Sequence, residues 1–119
     1  MPPEERDAAY LWDMLDAAKT VRSMIEGVAF DGYVRNRMLR LAVERAIEII
    51  GEAACHVSPG FRQSHPDILW RGIMAQRHVL AHEYGDIDHE LIWRVATVHI
   101  PDLIAKLEPL VPLPPNEEG

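Results

Sequence analysis

Residues 32–57 read GYVRNRMLRLAVERAIEIIGEAACHV, and a repeat near 3.6 residues runs through them. Leu39, Ala42, Ala46, Ile49 and Ala53 fall on one face of a helix, with Met38, Leu41, Ile50 and Ala54 widening it. Small residues dominate that face, so a neighbouring helix can approach closely. Gly51 sits inside it at a cost of about 1 kcal/mol relative to alanine, and another backbone passing nearby accounts for its presence. Ser58-Pro59-Gly60 stops the helix. No segment of the chain sustains a period-two alternation, so the pattern predicts an all-α protein.

Working outward, residues 4–27 carry a second apolar stripe: Leu11, Ala18 and Ile25 repeat every seventh residue beside Met14, Val21 and Val28. Gly27 ends that helix, and Asp31-Gly32 is a turn able to cap the next one. Downstream, Pro66-Asp67 reads as the entry to a third helix running through Tyr84, with Asp67 capping it and Gly85 ending it. Asp88 caps a fourth, whose apolar positions are Leu91, Ile92, Val95, Val98 and Leu103. Pro101 lies inside this last pattern, where it removes a backbone hydrogen bond and predicts a kink.

The chain has 119 residues, 48% of them apolar, enough for one domain with a real core. That domain is placed at residues 1–108. Residues 109–119 contain Pro109, Pro112, Pro114 and Pro115 and read as an extended, flexible tail. The first thirty residues hold no apolar run long enough for a signal peptide or a membrane span, so a cytoplasmic protein is expected. A single cysteine, Cys55, rules out an internal disulfide, and its small apolar neighbours predict that it is buried.

A net charge of −7 excludes a protein whose whole surface grips nucleic acid. The distribution is uneven. Residues 1–30 and 85–119 are net acidic, whereas residues 31–84 carry seven arginines against six acids and four of the six histidines. An anion is best received in that middle segment.

Within it, Arg77-His78-Val79-Leu80-Ala81-His82-Glu83-Tyr84 brings together a permanent cation, a group that titrates near neutral pH and a phenol. Arg77 can hold two phosphate oxygens and stabilise the charge that grows on them in a transition state. His82 can take a proton from a ribose 2′-hydroxyl or give one to a leaving oxygen. Tyr84 can donate a hydrogen bond or accept a covalent group. At about 100° per residue, Arg77 and Tyr84 share a helix face while His82 is turned roughly 140° from Arg77. One copy hardly closes such a site alone. Two copies packed about a two-fold axis could bring Arg77 and His82 of both chains to a shared cleft.

The Arg-x4-His-x-Tyr pattern, preceded by Pro66-Asp67-Ile68-Leu69-Trp70 and by Ile49-Ile50-Gly51-Glu52-Ala53-Ala54, resembles the HepT-like branch of the HEPN superfamily. Gly85-Asp86-Ile87-Asp88 followed by Leu91, Ile92 and Trp93 continues the likeness, which covers roughly residues 7–108. The resemblance implies an up-and-down bundle of four or five helices that forms a homodimer and cleaves RNA without a metal or cofactor. It makes Arg77 and His82 the catalytic pair, with His78 and Tyr84 in support. It further implies the toxin of a HepT/MNT-type toxin–antitoxin system, silenced when a cognate nucleotidyltransferase antitoxin places AMP on Tyr84. Two positions depart from the pattern: His78 stands where asparagine is usual and Glu83 where aspartate is usual, which bears on rate and substrate preference. Two other readings are carried with it. One is a non-catalytic helical interaction or nucleotide-binding module that partners a nucleotidyltransferase. The other is metal chelation by His78 and His82, spaced i, i+4, for which no third strong ligand stands at a fitting spacing.

Overall fold

A computed structural model describes residues 4–82 and 87–111, with His82 described by its main chain only. These residues form helices α1 (Glu5–Ile25), α2 (Phe30–Arg35), α3 (Arg37–His56), α4 (Pro59–Ser64), α5 (Trp70–His82), α6 (His89–Arg94) and α7 (Ile100–Leu107), with a π-helical turn at Val95–His99 joining the last two. No strand occurs among the described residues, and the all-α bundle follows as the sequence predicts. None of the helices described is long and apolar enough to cross a membrane.

The two long helices, α1 and α3, form the centre of the bundle. Leu11, Met14, Ala18 and Val21 of the predicted α1 stripe are fully buried. Gly27 closes α1 with φ at +74°, a conformation that costs glycine little. On α3 the buried line is Val43, Ala46, Ile47, Ile50, Ala53 and Ala54. The expected face is therefore rotated by about one position: Ala42 is exposed, Met38 is 83% and Leu41 52% exposed, and Leu39 and Ile49 are half-buried. Val43, Ile47, Ile50 and Ala54 also follow helical spacing, and the bulkier Val43 and Ile47 take the inward places. Cys55 is exposed, contrary to its predicted burial, because it lies on the opposite side of α3 from that line.

The single helix expected over residues 32–57 is divided. Asn36 leaves the helical region (φ −104°, ψ 94°), and its side-chain oxygen accepts from the Leu39 amide at 3.0 Å, so it caps α3. Asp31-Gly32 falls inside α2 instead of capping the next helix. The break lets α2 turn Tyr33 into the core, where it packs on Trp93 with ring centroids 5.1 Å apart. Ser58 starts α4, accepting from the Phe61 amide at 3.3 Å with Pro59 in the first turn. Asp67 does not cap the third long helix, which begins at Trp70. Ile68 and Trp70 are both buried, and the Trp70 indole donates to the His65 carbonyl at 2.9 Å. Burying both side chains, worth a few kcal/mol, outweighs a cap of about 1 kcal/mol. Asp88 does cap α6, accepting from the Glu90 and Leu91 amides. Near Pro101 the helix widens: the Ile100 amide bonds to the Val95 carbonyl, five residues back, and Pro101 occupies the first turn of α7, where its missing donor costs least.

Tyr33 is completely buried, and its hydroxyl has no hydrogen-bond partner among the described residues. Burial, reinforced by the nearby Glu44 carboxylate, pushes the phenol up to about 12 from its ordinary 10.0. The folded chain thus holds this proton more tightly than the unfolded one. The contribution of this group to stability is intact below pH 10 and is lost as pH rises between about 10 and 12. Tyr33→Phe removes an unsatisfied polar group, so it should raise stability by about 1 kcal/mol at neutral pH. Urea titrations at pH 8 and pH 11 check both points, since the variant should also lose less stability than wild type at the higher pH.

Candidate active site

α1 and α3 run antiparallel, and their register is fixed at one end by a buried carboxylate. Asp7 of α1 is 4% exposed and accepts from the Ser58 amide at 2.9 Å and from the Ser58 hydroxyl at 2.6 Å. Charge-assisted bonds of this kind are the stronger ones, so the pairing of the two helices is held from there onward. One turn along, Tyr10 and His56 stack, with ring centroids 5.0 Å apart and planes inclined by 20°. The next turn brings Asp13 of α1 and Glu52 of α3 to the same cavity. Gly51 follows, and α5 crosses there.

That crossing places Arg77. A methyl group at Gly51 would overlap the Arg77 Cβ, lie 2.9 Å from its Cγ and 3.0 Å from the Ile73 carbonyl oxygen. Only glycine admits α5 at this distance, which is the close backbone approach that the sequence predicts. The Arg77 side chain runs from the crossing into a cavity of about 450 Å³ that it shares with Tyr10, Asp13, Glu52, Cys55 and His56. Arg77 makes no ion pair among the described residues, and its buried Nε has no hydrogen-bond partner. Burial, with repulsion from Asp16, raises the Asp13 carboxyl above the ordinary aspartate range. Glu52 is held from the solvent side, its Oε1 lying 3.3 Å from Nη1 of Arg45. An unpaired guanidinium in a polar cavity can receive an oxyanion such as a phosphate.

Of the other residues singled out in the sequence, His78 lies on α5 beside Arg77, exposed but in contact with a neighbour. His82 is the last residue of α5. The helix is continuous from Arg77 to His82, so their backbone directions keep the separation of roughly 140°. Tyr84 lies outside the described residues. Among those described, no group of three or more His, Cys, Asp or Glu side chains is placed to hold a metal ion. Tyr10, Asp13 and His56 were not singled out from the sequence, and Glu52 only as part of a motif. Tyr10 and Asp13 stand one turn apart on α1, and Glu52 and His56 one turn apart on α3, but their convergence depends on a helix pairing that the sequence alone does not set.

The family model for HepT-like ribonucleases matches residues 14–110. Among individual proteins, a candidate RNase of Methanocaldococcus jannaschii is 33% identical over 100 residues, which cover 84% of this chain and 92% of the relative. The probable ribonuclease HepT of Thermococcus cleftensis is 33% identical over 101 residues, covering 85% of this chain and 92% of that one. A candidate RNase of Caldanaerobacter subterraneus subsp. tengcongensis is 32% identical over 94 residues, covering 79% and 84%. No solved structure matches the chain. The matched segment takes in α1 from Met14 onward, all of α3, the Gly51 crossing and the whole Arg-x4-His-x-Tyr motif, and the chain belongs to the HepT-like ribonuclease family of the HEPN superfamily.

Proposed function

We propose that this chain is the toxin of a HepT/MNT-type toxin–antitoxin system, an endoribonuclease that cuts RNA without a metal ion. The observation that carries the reading is Arg77, a cation that makes no ion pair among the described residues, set close against Gly51 and lining a polar cavity. In the proposed reaction Arg77 binds the scissile phosphate. His82 takes the proton of the ribose 2′-hydroxyl, and the freed oxygen attacks phosphorus. The 5′ oxygen leaves and takes a proton from a second acid, leaving a 2′,3′-cyclic phosphate. His78, beside Arg77 on the same helix, supports phosphate or base binding.

The angle between Arg77 and His82 favours a site shared by two copies of the chain. Leu41 at 52%, Leu69 at 61% and Leu91 at 44% exposure supply apolar surface that a second copy could cover. Light scattering at micromolar concentration should read twice the 13.5 kDa of one chain, and a species of 13.5 kDa alone contradicts the shared site.

Control is assigned to Tyr84. A nucleotidyltransferase partner would join the Tyr84 oxygen to the α-phosphorus of ATP and release pyrophosphate, placing negative charge near the cation that must receive RNA. Co-expression with the cognate nucleotidyltransferase tests this. Intact mass should rise in AMP units for wild type and stay unchanged for Tyr84→Phe. A gain that survives in Tyr84→Phe moves the modification elsewhere, and no gain in wild type removes it.

A further inference from the structure

The cavity beside Arg77 holds more than a phosphate needs. Along the groove between α1 and α3 stand an aromatic pair, Tyr10 and His56, then an acidic pair, Asp13 and Glu52, and then Arg77 at the crossing. The aromatic pair stands about one helical turn, roughly 5.4 Å, from the acidic pair, and Gly51, where Arg77 crosses, is the residue next to Glu52, so a base resting on the rings can lie a nucleotide's reach from a phosphate at Arg77. Two carboxylates next to the phosphate-binding cation weaken its hold on an anion, so their presence calls for a role of their own. A metal does not supply one, because the described side chains offer no three-ligand cluster.

We propose that this groove is a nucleobase subsite selective for guanine, occupied by the base next to the phosphate held by Arg77; the inference rests on the ribonuclease reading of that residue. His56 is exposed and Tyr10 half-buried, so the stacked pair presents aromatic surface against which an unpaired base can lie. The carboxylates select which base. Guanine offers two adjacent donors, N1–H and the N2 amino group, and a carboxylate oxygen accepts from both. Adenine and cytosine set one amino donor beside a ring-nitrogen acceptor, and uracil sets its single N–H between two carbonyls, so each turns a lone pair toward the carboxylates. Glu52 is suited to the task because Arg45 steadies Oε1 at 3.3 Å and leaves Oε2 unbonded among the described residues. Asp13, exposed on α1, accepts no hydrogen bond among the described residues, and partial desolvation with repulsion from Asp16 raises its carboxyl, so donors from a base would favour its charged form.

Isothermal titration of the full chain with guanosine 3′-monophosphate and cytidine 3′-monophosphate tests the proposal without requiring cleavage. Wild type should bind the guanosine nucleotide about tenfold more tightly, a modest reward for one correctly read base edge. Glu52→Gln should bring the two affinities together. His56→Ala, a change at an exposed position, should weaken both about tenfold and preserve their ratio. Equal affinities in wild type, no binding of either nucleotide, or a ratio unchanged in Glu52→Gln overturns the guanine subsite. Guanosine selectivity in a protein that does not cut RNA would sink the nuclease reading alone, and cleavage without selectivity would sink the subsite alone.

Discussion

Arg77→Ala is expected to lower RNA cleavage by about two or more powers of ten with little loss of stability. The large effect follows from removing the group proposed to stabilise charge growing on the phosphate oxygens, a role worth roughly 10²–10³ in rate where it has been isolated. The small structural cost follows from the surroundings. Among the described residues Arg77 has no ion-pair partner to strand and its Nε is already unsatisfied, and Gly51 beneath it leaves no side chain to collapse. His82→Ala should cause a loss of about 10²–10⁴ if it transfers the proton. Both variants should keep the helical circular dichroism signal and relieve growth inhibition in cells. Wild-type cleavage rates in both would remove the assigned mechanism.

The second large effect is expected at Gly51. Alanine is ordinarily the better helix former by about 1 kcal/mol, yet here its methyl group would overlap the Arg77 Cβ and press on the Ile73 carbonyl. The atoms in the way are backbone and the root of a side chain, so a rotamer change does not relieve the clash, and α5 must move off α3. Overpacking of this kind costs about 1–3 kcal/mol, and Gly51→Val should cost more than Gly51→Ala. Cleavage should fall further than stability does, because a displacement of about 1 Å at a catalytic group can cost roughly a hundredfold. Denaturant titration beside initial rates, measured well below the unfolding transition, checks the two effects separately. A Gly51→Ala protein that is more stable than wild type and fully active would show that the close crossing positions nothing.

The fold class was legible because its signals are local. Helical spacing fixed α1 and α3, Gly27 ended α1, and Asp88 capped α6. Gly51 is the most informative single residue, since a glycine inside a strong helix predicts a close neighbour and the neighbour is Arg77. What escaped the sequence depends on competition between weak local signals and burial. Asn36 divides a pattern that reads as continuous, because capping α3 there also brings Tyr33 into the core. Asp67 looks like a cap but gives way to burial of Ile68 and Trp70. Cys55 has small apolar neighbours, yet Ala53 and Ala54 point inward and it does not. The rungs of the α1–α3 groove were hidden for a different reason. Their residues are unremarkable on each helix and become a site only through the antiparallel register that Asp7 and Ser58 fix.

The reaction proposed at Arg77 transfers a phosphoryl group to a ribose 2′-oxygen without a metal ion. The direct measurement uses untagged protein in excess EDTA with two oligonucleotides, one all-RNA and one carrying a 2′-deoxyribose at the mapped cut. Full cleavage of the RNA with a 2′,3′-cyclic phosphate end is expected, and no cleavage at the deoxy position. Cleavage that stops in EDTA, or that proceeds equally well at the deoxyribose, would contradict it.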